Sequence, residues 1–120
     1  MKTLRVGIAS YQQMKERTLA IARGQHKPAA GEPKVWFPST ESFAKVLSDR
    51  NRALLAVIAE SAPESLAELA ERTGRQKSNL SRTLKTMERY GFVRLSRGPR
   101  GSVIPRVAYD RISLTLPLAG

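Results

Sequence analysis

Residues 65–106 read SLAELAERTGRQKSNLSRTLKTMERYGFVRLSRGPRGSVIPR, and this stretch decides the fold. Ser65-Leu66-Ala67-Glu68 has the spacing of a capping box, in which serine and glutamate satisfy each other's free backbone donors. The helix it opens would bury Leu66, Leu69 and Ala70, and Thr73-Gly74 ends it. After a brief turn, a longer helical pattern runs from about Lys77 to Tyr90 and stops at Gly91. With Leu80 at the centre of its inner face, an advance of about 100° per residue sets Leu84 and Met87 beside it. Ser78, Arg82, Lys85 and Arg89 then fall on the opposite side, nearly in one line, and Glu88 lies off that line. Two short strands follow, Val93–Ser96 and Ser102–Ile104, around the basic turn Arg97-Gly98-Pro99-Arg100-Gly101. Pro105 limits the second strand to an edge or an end, because proline has no N–H to donate to a ladder.

Helix, glycine turn, helix and basic hairpin come in the order of a helix-turn-helix with a wing. In that motif the second helix enters the DNA major groove and its N-terminal part reaches base edges. Gln76, Lys77, Ser78, Asn79 and Arg82 are therefore the candidates for base readout, with Asn and Gln suited to adenine and Arg and Lys to guanine. Lys85 and Arg89 lie further along the helix, where a cation positions the protein on phosphates without reading sequence. Arg75 before the helix, and Arg97 and Arg100 in the hairpin, are candidates for backbone contact or entry into a narrow minor groove.

Outward from this stretch, Ser48-Asp49 can cap a helix whose apolar face is Leu54, Leu55, Val57 and Ile58 and which stops before Pro63. Ser39 or Thr40 opens a shorter one with Phe43, Val46 and Leu47 on one side. Nearer the N-terminus, Leu4, Val6 and Ile8 alternate as a strand, and Ser10 can cap a helix with Tyr11, Met14, Thr18 and Ile21 on one face. Gly24 stops that helix, residues 25–33 read as a linker, and Lys34–Pro38 (KVWFP) reads as another short strand. Ile112, Leu114 and Leu116 alternate as a last strand. The segments Leu4–Ile8, Val35–Phe37 and Ile112–Leu116 have no local hairpin mate, so a small sheet joining them is expected, within one chain or across a dimer. The expected class is α+β: a winged helix-turn-helix domain over residues 39–107, an N-terminal strand–helix–linker–strand extension over 1–38, and a C-terminal strand or tail over 108–120 suited to dimer or partner contact.

Charge supports the same reading. The 120 residues carry 21 Lys and Arg against ten Asp and Glu, a formal net charge of +11. Eleven of the basic residues fall between Arg72 and Arg111, where only Glu88 and Asp110 oppose them. Such a concentration suits a polyanion, because each neutralised phosphate releases counterions. Cysteine is absent, which removes disulfides and thiolate metal sites and fits a reducing, cytoplasmic setting. No apolar run spans a bilayer, and the first residues lack a signal-peptide core. His26, the single histidine, sits in the linker and is expected to be solvated. The glycines of residues 98–101 lie in a hairpin and not at a strand-to-helix junction, so they fail as a nucleotide phosphate loop. With no histidine or cysteine support, the carboxylates form no acid–base pair or metal cluster; neither an enzyme nor a cofactor is expected. Trp36 and Phe37 read as core and not as a base-stacking platform.

These residues also resemble a family. Ser65–Ala70 with Gly74, Asn79-Leu80-Ser81-Arg82-Thr83-Leu84-Lys85, and Glu88-Arg89-Tyr90-Gly91-Phe92-Val93 are similar to the winged-helix regulators loosely called MarR-like. Residues 35–43 (VWFPSTESF) and 105–110 (PRVAYD) resemble a narrower group of short prokaryotic transcriptional regulators, some of which look like antitoxins. The resemblance implies a dimeric, sequence-specific repressor of its own operon that binds double-stranded DNA. The alternative it implies is an antitoxin that neutralises a toxin protein by direct binding and represses its own operon. A third reading is RNA or architectural DNA binding with little sequence choice. The chain carries strands at both ends where full-length MarR proteins carry long dimerisation helices.

Overall fold

The computed structural model describes residues 2–118. It is mixed α+β, with five α-helices and five strands in two sheets among the described residues. In chain order these are β1 (Thr3–Ile8), α1 (Tyr11–Ala22), β2 (Val35–Phe37), α2 (Thr40–Val46), α3 (Asp49–Ser61), α4 (Leu66–Thr73), α5 (Lys77–Arg89), β3 (Val93–Arg97), β4 (Val103–Val107) and β5 (Arg111–Thr115). A single 3₁₀ turn, Pro99–Gly101, joins β3 to β4. The chain forms two compact units, one of Met1–Lys45 with Arg111–Gly120 and one of Val46–Asp110. No described helix is long and apolar enough to cross a membrane.

The first unit is built on the three strands that lack local mates. They pair within the one chain, in the order β2-β1-β5, all parallel. Val6 stands opposite Val35 on one side, and Leu4 and Val6 stand opposite Ile112 and Leu114 on the other. Parallel neighbours need a long connection, and α1 supplies it between β1 and β2. β1 is central, and its Leu4 and Val6 are buried together with Phe37 of β2, whose ring meets Phe43 edge-on at 5.3 Å. Trp36 lies over Gly7 of β1: a Cβ added at Gly7 would fall 2.6 Å from Trp36 Cζ3 and 2.9 Å from Pro33 Cγ. Phe37 thus joins the core as expected, whereas Trp36 is half-buried.

Arg17 of α1 sits 5.3 Å from the Trp36 ring centroid, a cation–π distance, and donates to Glu32 at 2.7 Å. The His26 ring also meets Glu32, at 3.0 Å, so His26 is partly covered where solvation was expected. Hydrogen bonds from Arg17 and then His26 hold the Glu32 carboxyl below its ordinary pKa. The segment that reads as a linker is therefore tied back to α1. These ties also change the face of α1. Tyr11 is 85% exposed and Thr18 is exposed, while Met14, Arg17, Ala20 and Ile21 are half-buried. The apolar stem of Arg17, held at its head by Glu32 and Trp36, takes the inward position that periodicity assigns to Thr18. Ser10 caps α1 with a complete capping box: its Oγ accepts from Gln13 N at 3.1 Å and its own N–H donates to Gln13 Oε1 at 2.8 Å.

The second unit packs α3, α4 and α5 with the antiparallel β3–β4 hairpin. Its core is Leu54 and Ile58 of α3, Leu66 and Leu69 of α4, Leu80, Leu84 and Met87 of α5, and Phe92 and Val93. Ser48 caps α3, accepting from Asn51 N at 3.2 Å. At α4 the expected capping box is only half made. Ser65 Oγ accepts from Glu68 N at 3.0 Å, but the Glu68 carboxylate takes the N–H of Glu64 at 2.8 Å in place of that of Ser65, whose backbone is fully extended. That bond is the first cause holding the Glu68 carboxyl below its ordinary pKa. In the hairpin β4 runs through Pro105, which faces Leu95; a two-stranded sheet has only edge strands, so the missing N–H breaks no inner ladder.

Candidate functional site

α4 ends at Gly74, whose left-handed backbone (φ 71°) lets its N–H reach Ala70 O at 2.9 Å. Two residues, Arg75 and Gln76, then carry the chain to α5. Leu80, Leu84 and Met87 are wholly buried, and they fix which way α5 faces. Ser78, Arg82, Lys85 and Arg89 are all exposed on the other side, and Gln76 and Lys77 are exposed at its start. None of Lys77, Arg82, Lys85, Arg89, Arg97 and Arg100 belongs to an ion pair among the described residues. Cations on a solvated face that are held in no ion pair stay available to an incoming anion, and Glu88 is the one carboxylate beside them on α5.

The hairpin adds two more cations. Arg97 ends β3 opposite Val103, and Arg100 stands at the exposed tip. The tip is closed by Gly98 N donating to Ser102 O at 2.8 Å. Arg100 has a left-handed backbone (φ 59°, ψ 27°), a conformation that costs a non-glycine residue about 1–2 kcal/mol. Between α5 and the hairpin lies an open groove of about 210 Å³, with Ser81, Lys85 and Glu88 along the helix side and Ser96 and Arg97 along the strand side. The fold thus brings Lys85 and Arg97, twelve positions apart in sequence, onto one groove.

Two of the ten candidates are placed otherwise. Arg75 is half-buried, and its guanidinium donates through Nε (3.0 Å) and Nη2 (2.8 Å) to Asn79 Oδ1. Its Nη1 reaches Asn51 Oδ1 at 3.2 Å and its Nη2 reaches Thr83 Oγ1 at 3.4 Å. Asn51 also donates to Val46 O at 3.0 Å. The Arg75 guanidinium and the Asn79 carbonyl oxygen are therefore engaged inside the unit, and both residues are half-buried. Burial, and then the positive charge of Arg50, lower the Arg75 pKa from its ordinary value. Asn51 and Arg50, both from α3, escaped the sequence reading; Asn51 meets Arg75 across 24 positions, and no local spacing reports such a contact. Arg106 is likewise turned inward. It stands opposite Arg94 in the hairpin, an unfavourable like-charge pairing, and donates to Pro63 O at 2.7 Å.

The family model HVO_A0114 matches residues 46–114, more than half of the chain. This chain belongs to the HVO_A0114 family. No curated protein and no solved structure matches it. The HVO_A0114 segment begins at the last residue of α2 and includes α3, α4, α5, the hairpin and most of β5. All ten candidate residues and both α3 side chains described above lie inside it. Among the described residues, no group of three or more His, Cys, Asp or Glu could hold a metal ion.

Proposed function

We propose that this HVO_A0114 protein is a sequence-specific double-stranded DNA-binding regulator of winged helix-turn-helix type. In this reading α4, the Gly74 turn and α5 are the helix-turn-helix, and β3–β4 is the wing. The observation that carries it is the exposed line Ser78–Arg82–Lys85–Arg89, free of ion pairs, backed by wholly buried Leu80, Leu84 and Met87. A buried back fixes the direction of the line, so α5 can lie in a major groove without the unit refolding. Gln76, Lys77, Ser78 and Arg82 then meet base edges. Lys85, Arg89 and Arg97 hold phosphates, and Arg100 reaches the backbone or minor groove from the tip. A dimer on a two-fold symmetric operator completes the proposal, because protein symmetry is mirrored in half-site spacing.

Selection of bound duplexes from a random pool tests it, followed by titration of the selected and a random duplex. Arg82→Ala is expected to lower the ratio of the two affinities by roughly ten- to a hundredfold, the value of one bidentate base contact. An unchanged ratio and affinity would show that the assigned face is wrong. Arg100→Gly separates strain from function. Glycine relieves the left-handed backbone but adds unfolded-state entropy, so stability should rise by about 0.5 kcal/mol or hold. Affinity for every duplex should fall at the same time. A drop in melting temperature together with unaltered binding would refute a binding role for that side chain.

A further inference from the structure

Arg75 has the geometry of a brace. Its guanidinium makes four hydrogen bonds to three side chains: Asn51 on α3, and Asn79 and Thr83 on α5. Asn51 in turn is fastened to Val46 O. The first turn of α5 needs such a brace. Its N-cap, Gln76, makes no side-chain hydrogen bond to the helix, and no acidic residue stands in the first turn to offset the helix dipole. α1, α3 and α4, by contrast, each have a serine at the N-cap that accepts a backbone N–H. The least locally supported helix start in the chain is thus the one that carries Gln76, Lys77, Ser78 and Arg82.

We infer that Arg75 is a positioning residue, fixing the first turn of α5 against α3 so that the base-reading side chains keep one register. The inference rests on the DNA-binding reading for its functional consequence, but the brace itself does not. Only a planar fork can reach Asn51, Asn79 and Thr83 at once; a lysine ammonium keeps the charge but cannot span them. The half-buried position of Arg75, where partial burial disfavours the charge and lowers its pKa, leaves these side-chain acceptors to stand in for lost water.

Arg75→Lys and Asn51→Ala in the full chain decide the matter. A brace predicts that Arg75→Lys cuts the affinity ratio of selected to random duplex about tenfold and leaves the slope of log K against log salt unchanged. Asn51→Ala should produce the same change, and the double variant should add little to either alone. A phosphate contact predicts the reverse: lysine rescues binding, the ratio holds, and only Arg75→Ala flattens the salt slope, by about 0.9. That result would overturn the inference. Amide hydrogen exchange provides an arm that needs no DNA. The amides of Leu80–Leu84 should exchange at least tenfold faster in Arg75→Lys, and unchanged rates would also overturn the inference. If the wild-type chain binds no duplex, the functional reading fails and the exchange result alone decides the brace. Should Arg75→Lys fail to fold, Asn51→Ala, which leaves three of the four bonds in place, carries the same comparisons.

Discussion

The triple variant Lys85→Ala, Arg89→Ala, Arg97→Ala is expected to lose on the order of 500-fold in affinity for any duplex at about 0.1 M salt. Each phosphate contact contributes about 0.9 to the salt exponent, so three contacts contribute about 2.7 logarithmic units at that concentration. The slope of log K against log salt should fall by the same 2.7, whatever the duplex sequence, because phosphates carry no sequence information. Folding should be little changed. All three side chains are exposed, and none belongs to an ion pair whose loss would strand a carboxylate. Titrations at four or five salt concentrations, with a thermal melt alongside, make the check. An unchanged slope in a folded triple variant would remove the cationic ridge from the proposed interface. Retention of the ratio between selected and random duplex, with weaker binding to both, would place these three residues in phosphate contact and leave base reading to Arg82 and its neighbours.

Gly7→Ala is expected to destabilise the first unit by about 1–3 kcal/mol, the range for overpacking a filled site. The added methyl would lie 2.6 Å and 2.7 Å from two ring carbons of Trp36 and 2.9 Å from Pro33 Cγ. The ring cannot simply swing away, since Arg17 holds its face and is itself held by Glu32. Trp36 is the single tryptophan of the chain, so its fluorescence reports the site directly. Thermal or urea unfolding followed at that signal should show an earlier transition in Gly7→Ala. Replacing Trp36 by leucine in the same background removes the fluorophore, so that variant is followed by circular dichroism, alongside Gly7→Ala, and should recover part of the loss. A variant that unfolds like wild type would mean that the ring does not lie over β1.

Much of the candidate site was legible in order of residues because its signals are local. Leu80, Leu84 and Met87 recur at helical spacing, so their burial and the exposure of Ser78, Arg82, Lys85 and Arg89 follow from one periodicity. Gly74 and the Gly98–Gly101 tip punctuate the chain where they stand, through backbone conformations that need no distant partner. Asn79 shows the limit of such a reading. Its position in the helix marks it for base contact, yet its carbonyl oxygen is taken by Arg75 from the turn before it. Tyr11 and Thr18 show the same limit in α1, where the competition was settled by Glu32 within, and Trp36 just beyond, a segment that reads only as a linker.

Sequence alone determined the identity and extent of the helices from residue 40 onward, the cationic line on α5, the basic hairpin, and the three alternating strands in need of mates. Those properties depend on side-chain period, capping and turn chemistry within about one or two helical turns. Tertiary structure alone decided that the strands pair in parallel in the order β2-β1-β5, that Lys85 and Arg97 share a groove, and that Arg75 faces inward to Asn51. Each of these brings together residues distant along the chain. Its energy depends on where whole elements come to rest, which no local pattern of residues encodes.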